Sequence, residues 1–160
     1  MQKTYLKLTL DLDFVLIAVT ASLKDYVLCH KINTMLYFNF EKVDDHEVYL
    51  STGKTPQYFS RYYYLSEPGE NEYYLLNNRN GEGFLIPEMN KVDYFIIIRN
   101  YIDKEDLNFF ISGLNKMSEV QVAVRIDPEK LRSKENLVMW FFNLAGVQNT
   151  LYLNVAWEAI

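Results

Sequence analysis

The amino-acid sequence predicts one α+β domain, built from a mainly antiparallel sheet, two principal helices and a short C-terminal helix. Several segments carry apolar residues at every second position, two carry them at helical spacing, and short polar or glycine-containing turns connect neighbours. The chain has 160 residues, of which 49% are hydrophobic and 23% charged. This length and composition are typical of a single folded domain, so residues 1–160 are treated as one unit.

The first two strands and the first helix are predicted within residues 7–37. Leucines at every second position predict a half-buried strand over residues 7–12, and the continuously apolar residues 14–20 predict a buried strand. Residues 22–25 have the spacing of a capping box, which predicts the start of a helix. The apolar face of that helix is expected to consist of Leu28, Ile32, Met35 and Leu36.

The middle of the chain predicts consecutive antiparallel strands. Residues 58–65 are rich in tyrosine, and residues 72–77 are expected to pair with them as a hairpin. The dipeptide Asn80-Gly81 is a strong signal for a tight turn. Residues 83–86 and 92–99 are expected to complete the antiparallel run.

The last third predicts a second helix, one more strand and a short closing helix. Asp103 is the expected cap of the second helix, whose apolar stripe consists of Leu107, Phe110, Ile111 and Leu114. Residues 119–126 alternate as a strand, and Asp127-Pro128-Glu129 has the composition of a helix start. Residues 138–160 are rich in large apolar side chains. They predict either a final element that completes the core or a surface for association.

Composition and spacing disfavour several functional classes. The net charge of −5 argues against DNA as a partner, because such binding depends on neutralising phosphates with Lys and Arg. The single cysteine, Cys29, excludes an internal disulfide and is expected to be a buried apolar residue in a cytoplasmic protein. The acidic residues 44–47 are interpreted as a solvated loop without a second ligand cluster, so no metal is expected. Neither a cofactor nor a membrane-spanning segment is predicted.

The segment LIPEMNKVDYFIII, residues 85–98, carries the most specific motif in the chain. Its six defining residues are Ile86, Pro87, Glu88, Val92, Asp93 and Tyr94. This spacing resembles the signature of the bacterial IPExxxVDY family, and looser similarity extends over residues 10–137, in DLDFVLIAV, SLKDYVLC, FSRYYY and DPEKLRSKENL. The resemblance implies a small bacterial protein of the cytoplasm. It implies no activity, because the family has none assigned.

The motif residues are expected to form a turn that leads into a central strand. Pro87 favours an extended conformation at Ile86 and removes one backbone donor. Asp93 is expected to accept hydrogen bonds from backbone N–H groups or an arginine, while Tyr94 packs in the core. The alternative is an acid/base pair formed by Glu88 and Asp93, which requires environments that separate their pKa values.

The tyrosine-rich residues 58–65 are the candidate binding surface. Tyr58, Tyr62 and Tyr64 alternate on one predicted face, and Arg61 lies on the other. Exposed tyrosine beside arginine is typical of protein-contact hot spots. The leading hypothesis is therefore a non-enzymatic cytosolic module that acts by protein contact or self-association. A small-molecule enzyme or binding protein with Glu88 and Asp93 in a pocket is the second hypothesis, and single-stranded RNA binding is the third.

Overall fold

A six-stranded, fully antiparallel sheet forms the centre of the structure, which is a computed structural model describing residues 12–49, 55–67, 70–138, 140–141 and 150–151. The strands, in chain order, are β1 (Val15–Ala21), β2 (Glu41–Val48), β3 (Gln57–Leu65), β4 (Glu72–Asn77), β5 (Tyr94–Arg99) and β6 (Val120–Ile126). Their order across the sheet is β2-β3-β4-β5-β1-β6. Two helices, α1 (Asp25–Leu36) and α2 (Lys104–Asn115), complete the fold. The predicted α+β class is confirmed.

The strand β5 is buried on both faces of the sheet. It pairs with β4 on one side and with β1 on the other, where Ile17 lies opposite Ile96. Alternate β5 side chains enter two different cores: Tyr94, Ile96 and Ile98 face the helices, and Phe95 and Ile97 face away from them. A strand covered on both faces needs apolar residues at every position, which explains the unbroken sequence from Tyr94 to Ile98.

The two cores have different covering layers. On the first face, α1 and α2 bury Leu28, Ile32, Leu107, Phe110 and Leu114 against the sheet. On the second face, the covering side chains come from irregular segments, namely Leu85, Ile86 and Leu137, with the partly buried Met89 and Leu131. The residues of the predicted motif thus form part of a covering layer for the sheet.

The helices begin and pack somewhat differently from the prediction. The N-terminal cap of α1 is Lys24, without a side-chain hydrogen bond, so the capping box predicted at residues 22–25 is wrong. Ser22 Oγ instead accepts a hydrogen bond from Gln121 Nε2 on the neighbouring strand. Met35 is half exposed, at 50%, although its spacing placed it on the apolar face. Asp103 caps α2 as predicted, but its side chain makes no capping hydrogen bond.

Residues 41–48 form the edge strand β2, which corrects the prediction of a solvated loop at residues 44–47. Its pairing with β3 is interrupted between Val43 and His46, where the register shifts by a bulge. The charged side chains of Asp44 and Asp45 are exposed at this bulge, whereas His46 is 1% exposed. Charges and a bulge protect an edge strand from unwanted pairing, so the acidic composition reflects an edge position.

Other predicted elements are shorter than expected or lie outside the described residues. The turn at Asn80 forms, but residues 83–86 contribute only the bridge between Arg79 and Phe84. The helix predicted from Asp127 is a single 3₁₀ turn, Pro128–Lys130, and a second such turn covers Lys134–Leu137. Two short strands follow, β7 (Trp140–Phe141) and β8 (Thr150–Leu151), which pair with each other. Residues 7–11 and most of the 138–160 tail lie outside the described residues.

Replacing a β5 core residue tests the two-sided burial. Ile96 is completely buried between α1, α2 and the sheet. We expect Ile96→Ala to lower the free energy of unfolding by about 3 kcal/mol, because the truncation leaves a cavity that the neighbours fill only partly. Urea denaturation measures this loss. Val122→Ala, on the exposed edge strand β6, is the matched control and should cost less than about 1 kcal/mol.

Candidate functional site

The segment that carries the predicted motif crosses from β4 to β5 as a folded turn. Ile86 is fully buried, and Pro87–Met89 form one 3₁₀ turn in which Pro87 occupies a position that needs no donor. The N–H of Val92 then donates to the carbonyl of Met89, and the N–H of Asp93 donates to Val19 of β1. The end of the turn is therefore already hydrogen-bonded to β1, the neighbour of β5 in the sheet.

Asn78 holds this turn in place through its side-chain amide. Its Oδ1 accepts from the N–H of Ile86 at 2.8 Å, and its Nδ2 donates to the carbonyls of Met89 and Val92 at 2.9 and 2.8 Å. Its backbone also pairs with Asp93 and Leu85. Asn78 is 0% exposed, so these contacts satisfy polar groups that water does not reach. The role of Asn78 was not predicted, because an asparagine beside Asn80-Gly81 is typical of a turn.

Glu88 connects the turn to the segment after β6. Its two carboxylate oxygens accept from the backbone N–H of Ser133 at 2.7 Å and from Ser133 Oγ at 2.8 Å. Partial burial raises the pKa of Glu88, but these hydrogen bonds outweigh burial and lower the pKa below its ordinary value. A carboxylate stabilised in its charged form is suited to anchoring. A general acid needs the opposite shift.

Asp93 serves a second, separate connection. Its Oδ2 accepts from the backbone N–H of Ala21 at 2.9 Å, and its Oδ1 lies 3.2 Å from a guanidinium nitrogen of Arg79. These are the two kinds of donor that the sequence indicated for this residue. Glu88 and Asp93 therefore bind different segments. A surface cavity of about 460 Å³ lies elsewhere, lined by Leu12, Phe14 and residues 125–129, and neither carboxylate borders it.

Tyr94 and Tyr62 anchor the start of α1 on the sheet. The hydroxyl of Tyr94 donates to the backbone carbonyl of Leu23, and Tyr62 makes a side-chain hydrogen bond with Asp25. Burial first, and then the nearby charges of Asp25 and Asp93, raise the pKa of Tyr94 to about 12, so its hydroxyl stays a neutral donor. Cys29 lies on the same helix and is buried. Burial and then Asp25 raise its pKa to about 12, which leaves the thiol a poor nucleophile.

The predicted binding residues of β3 do not form one exposed surface. Tyr58 is 52% exposed, but Tyr62 is buried under α1 and Tyr64 is half buried in the same core. Arg61 is 5% exposed on the opposite face, near the charges of Asp44 and Asp45. A strand period assigns residues to faces but does not show that both faces are covered, so the sequence overestimated the exposure of these side chains.

His46 connects the edge strand β2 to the segment that holds Glu88. Its Nε2 donates to the backbone carbonyl of Asn136 at 2.6 Å, and the Asn136 side chain donates to the carbonyl of Leu85 at 2.9 Å. Strand β2, the segment at Asn136 and the segment at Leu85 are therefore joined by hydrogen bonds next to the second core. Burial, followed by the positive charge of Arg61, outweighs the hydrogen bond to Asn136 and lowers the pKa of His46 to about 4. The ring is thus neutral at physiological pH.

Three exposed apolar side chains lie near the end of α1. Tyr37 follows the last residue of α1 and is 90% exposed, and Met35 and Phe109 are also exposed. An added Cβ at Gly113 would lie 2.6 Å from Leu36 Cδ2, so α2 abuts the end of α1 at this point. Phe109 precedes Gly113 by one helical turn on the same side of α2. Met35, Tyr37 and Phe109 are named here the helix-end surface.

A scan against protein-family models and a search of curated proteins found no match for this chain. Among the described residues, no helix combines the length and the apolar character needed to cross a membrane. The same residues contain no group of three or more His, Cys, Asp or Glu side chains placed to hold a metal ion.

Removing the Asn78 amide tests its role in holding the motif turn. We expect Asn78→Ala to lower the free energy of unfolding by about 3 kcal/mol, because one N–H and two carbonyls lose their buried partner. Chemical denaturation measures this change. The control is Asn90→Ala, at an exposed position in the same turn, where the expected change is below about 0.5 kcal/mol. Equal stability of the two variants would contradict the assignment.

The buried imidazole predicts acid sensitivity. The unfolded chain binds a proton on His46 near pH 6.5, whereas the folded chain does so only near pH 4. Stability should therefore fall as the pH drops through this window, by about 3 kcal/mol for this group. The pH dependence of denaturation in His46→Gln should be flatter than in the parent chain. His30→Gln changes the exposed second histidine and should leave the slope unchanged.

Proposed function

We propose that this chain is a non-enzymatic cytosolic protein-contact module that belongs to the IPExxxVDY family, and that the helix-end surface contacts its protein partner. The observation that carries this proposal is the backbone of Tyr37. This residue has φ 58° and ψ 41°, in the left-handed region. Glycine is the usual residue at such a helix end, because a Cβ makes this conformation unfavourable by about 1 kcal/mol.

The conformation of Tyr37 has no compensating burial. With 90% of its surface exposed, the side chain gains little from packing against its own chain. A large aromatic residue that is kept in a strained position and left in solvent is explained by contact with another molecule. Phe109 and Met35 supply further apolar area, and aromatic and methionine side chains are common at adaptable protein interfaces.

Aromatic rings pack around Phe38, the residue that follows Tyr37. Phe38 stacks on Phe110 with ring centroids 5.1 Å apart and an interplanar angle of 4°. Phe38 also contacts Tyr64 and Tyr73, at 4.8 and 4.9 Å. Tyr64, a predicted contact residue, thus packs in the aromatic cluster next to Tyr37 in the chain. Packing of the neighbouring residue supports the proposal, because a preorganised surface loses less entropy when a partner binds.

The remaining parts of the proposal rest on other observations. The engagement of Glu88 with Ser133 and of Asp93 with Ala21 favours structural roles for both carboxylates, which supports a non-enzymatic function. A single buried thiol, Cys29, suits a reducing compartment. The segments that resemble the family, around residues 86–94 and 127–137, are in direct contact through Glu88 and Ser133, so the resemblance covers two parts of the chain that lie together in the fold.

A double variant separates the contact role from stability. Tyr37→Gly removes the exposed ring and relieves the backbone, and Phe109→Ser removes the second aromatic. We expect the variant to unfold at the same temperature as the parent chain or slightly higher. Its partner should be recovered at least about tenfold less in affinity purification from the native cell, quantified by mass spectrometry, a loss that corresponds to about 1.4 kcal/mol.

The control for this experiment is Tyr26→Ser, which removes an aromatic that is 59% exposed elsewhere on α1. This variant should retain the partner. If the double variant retains it as well, the helix-end surface is not the contact site. Loss of the partner in Tyr58→Ser instead would assign the contact to the tyrosine-rich strand.

A further inference from the structure

The edge strand β6 is closed by a side chain at its midpoint. Asn115, the last residue of α2, accepts from the backbone N–H of Ala123 through Oδ1 at 2.9 Å. Its Nδ2 donates to the carbonyl of the same residue, also at 2.9 Å. The amide thereby reproduces the pair of hydrogen bonds that a neighbouring strand would supply.

These contacts also show which main-chain groups of β6 point away from the other described strands. Because Asn115 reaches both main-chain groups of Ala123, these groups point away from β1. Main-chain groups of alternate strand residues point to the same side, so those of Arg125 also point outward. The side chains of Val122 and Val124 are 45% and 48% exposed on one face of this edge. An edge strand with exposed apolar side chains can pair with another strand.

We propose that β6 is a self-pairing edge, that its occupant is the β6 strand of a second copy of this chain, and that Asn115 holds the edge closed. The choice of occupant follows from the exposed valines on either side of Ala123. In an antiparallel pair centred there, Val122 of each copy lies opposite Val124 of the other. Gln121 is the extra residue of a bulge in the pairing with β1, so the regular pair is confined to residues 122–124, which carry no charge.

Asn115 and a second copy compete for the same main-chain groups of Ala123. Dimerisation would replace the two hydrogen bonds that each amide makes, four in the two copies, with two across the symmetric pair. Dimerisation additionally gains the contact between valines, but it loses the freedom of two separate molecules. Withdrawing the amide therefore shifts the balance toward the dimer.

The test is the oligomeric state of Asn115→Ala, measured by light scattering over a range of protein concentrations. We expect about tenfold tighter dimerisation than in the parent chain, equivalent to about 1.4 kcal/mol. Alanine also favours the helix end, so the variant should fold, which circular dichroism checks. Should it fail to fold, Asn115→Ser replaces it under the same criterion. A folded variant with unchanged dimerisation would overturn the proposal.

Two further variants assign the effect to this edge. Adding Val122→Lys and Val124→Lys to Asn115→Ala places like charges opposite each other and should restore the monomer. Persistence of the dimer in this triple variant would also overturn the proposal. The control Asn108→Ala alters an exposed asparagine elsewhere on α2 and should behave as the parent chain. The helix-end surface is intact in all of these variants, so the outcome is independent of the proposed partner contact.

Discussion

The side-chain amide of Asn78 is the constraint on which the centre of this structure depends. It binds Ile86, Met89 and Val92 from a position that is completely buried. The chain between β4 and β5 would otherwise have to satisfy these groups without water, at a cost of about 1–3 kcal/mol for each. Because the same turn delivers β5 to its place between β4 and β1, Asn78 contributes to the register of the central strands.

The second core is assembled through polar anchors that surround an apolar layer. Glu88 reaches Ser133, and Asn136 reaches Leu85 while it accepts from His46. Each anchor is directional, so together they fix the covering segments at one position, whereas apolar contacts such as that of Leu137 tolerate small shifts. In the first core, regular helices satisfy most of their own backbone groups, and polar anchors such as that of Tyr94 to Leu23 hold a helix end on the sheet.

The sequence predicted the strands whose apolar spacing follows from burial. It did not predict which sheet faces are covered by other segments, or that a charged segment forms an edge strand. The strands at Val15–Ala21, Tyr94–Arg99 and Val120–Ile126 follow directly from apolar spacing. Strand β2 was missed because a charged edge with a bulge has the composition of a loop. The burial of Arg61 and the clamp by Asn78 depend on segments distant in the chain, and local sequence carries no signal of such contacts.

The exposed apolar side chains of this protein lie in two different kinds of surroundings. Val122 and Val124 lie on an edge whose midpoint is occupied by Asn115, and the other edge, β2, carries charges and a bulge. Both edges are thus protected against unplanned pairing, as natural sheets require. Among the described residues, no such protection is seen at Tyr37, where the backbone has an unfavourable left-handed conformation and the ring is exposed to solvent. Protected edges together with a strained, exposed aromatic residue favour the proposed contact at Tyr37 over a general tolerance of exposed apolar surface.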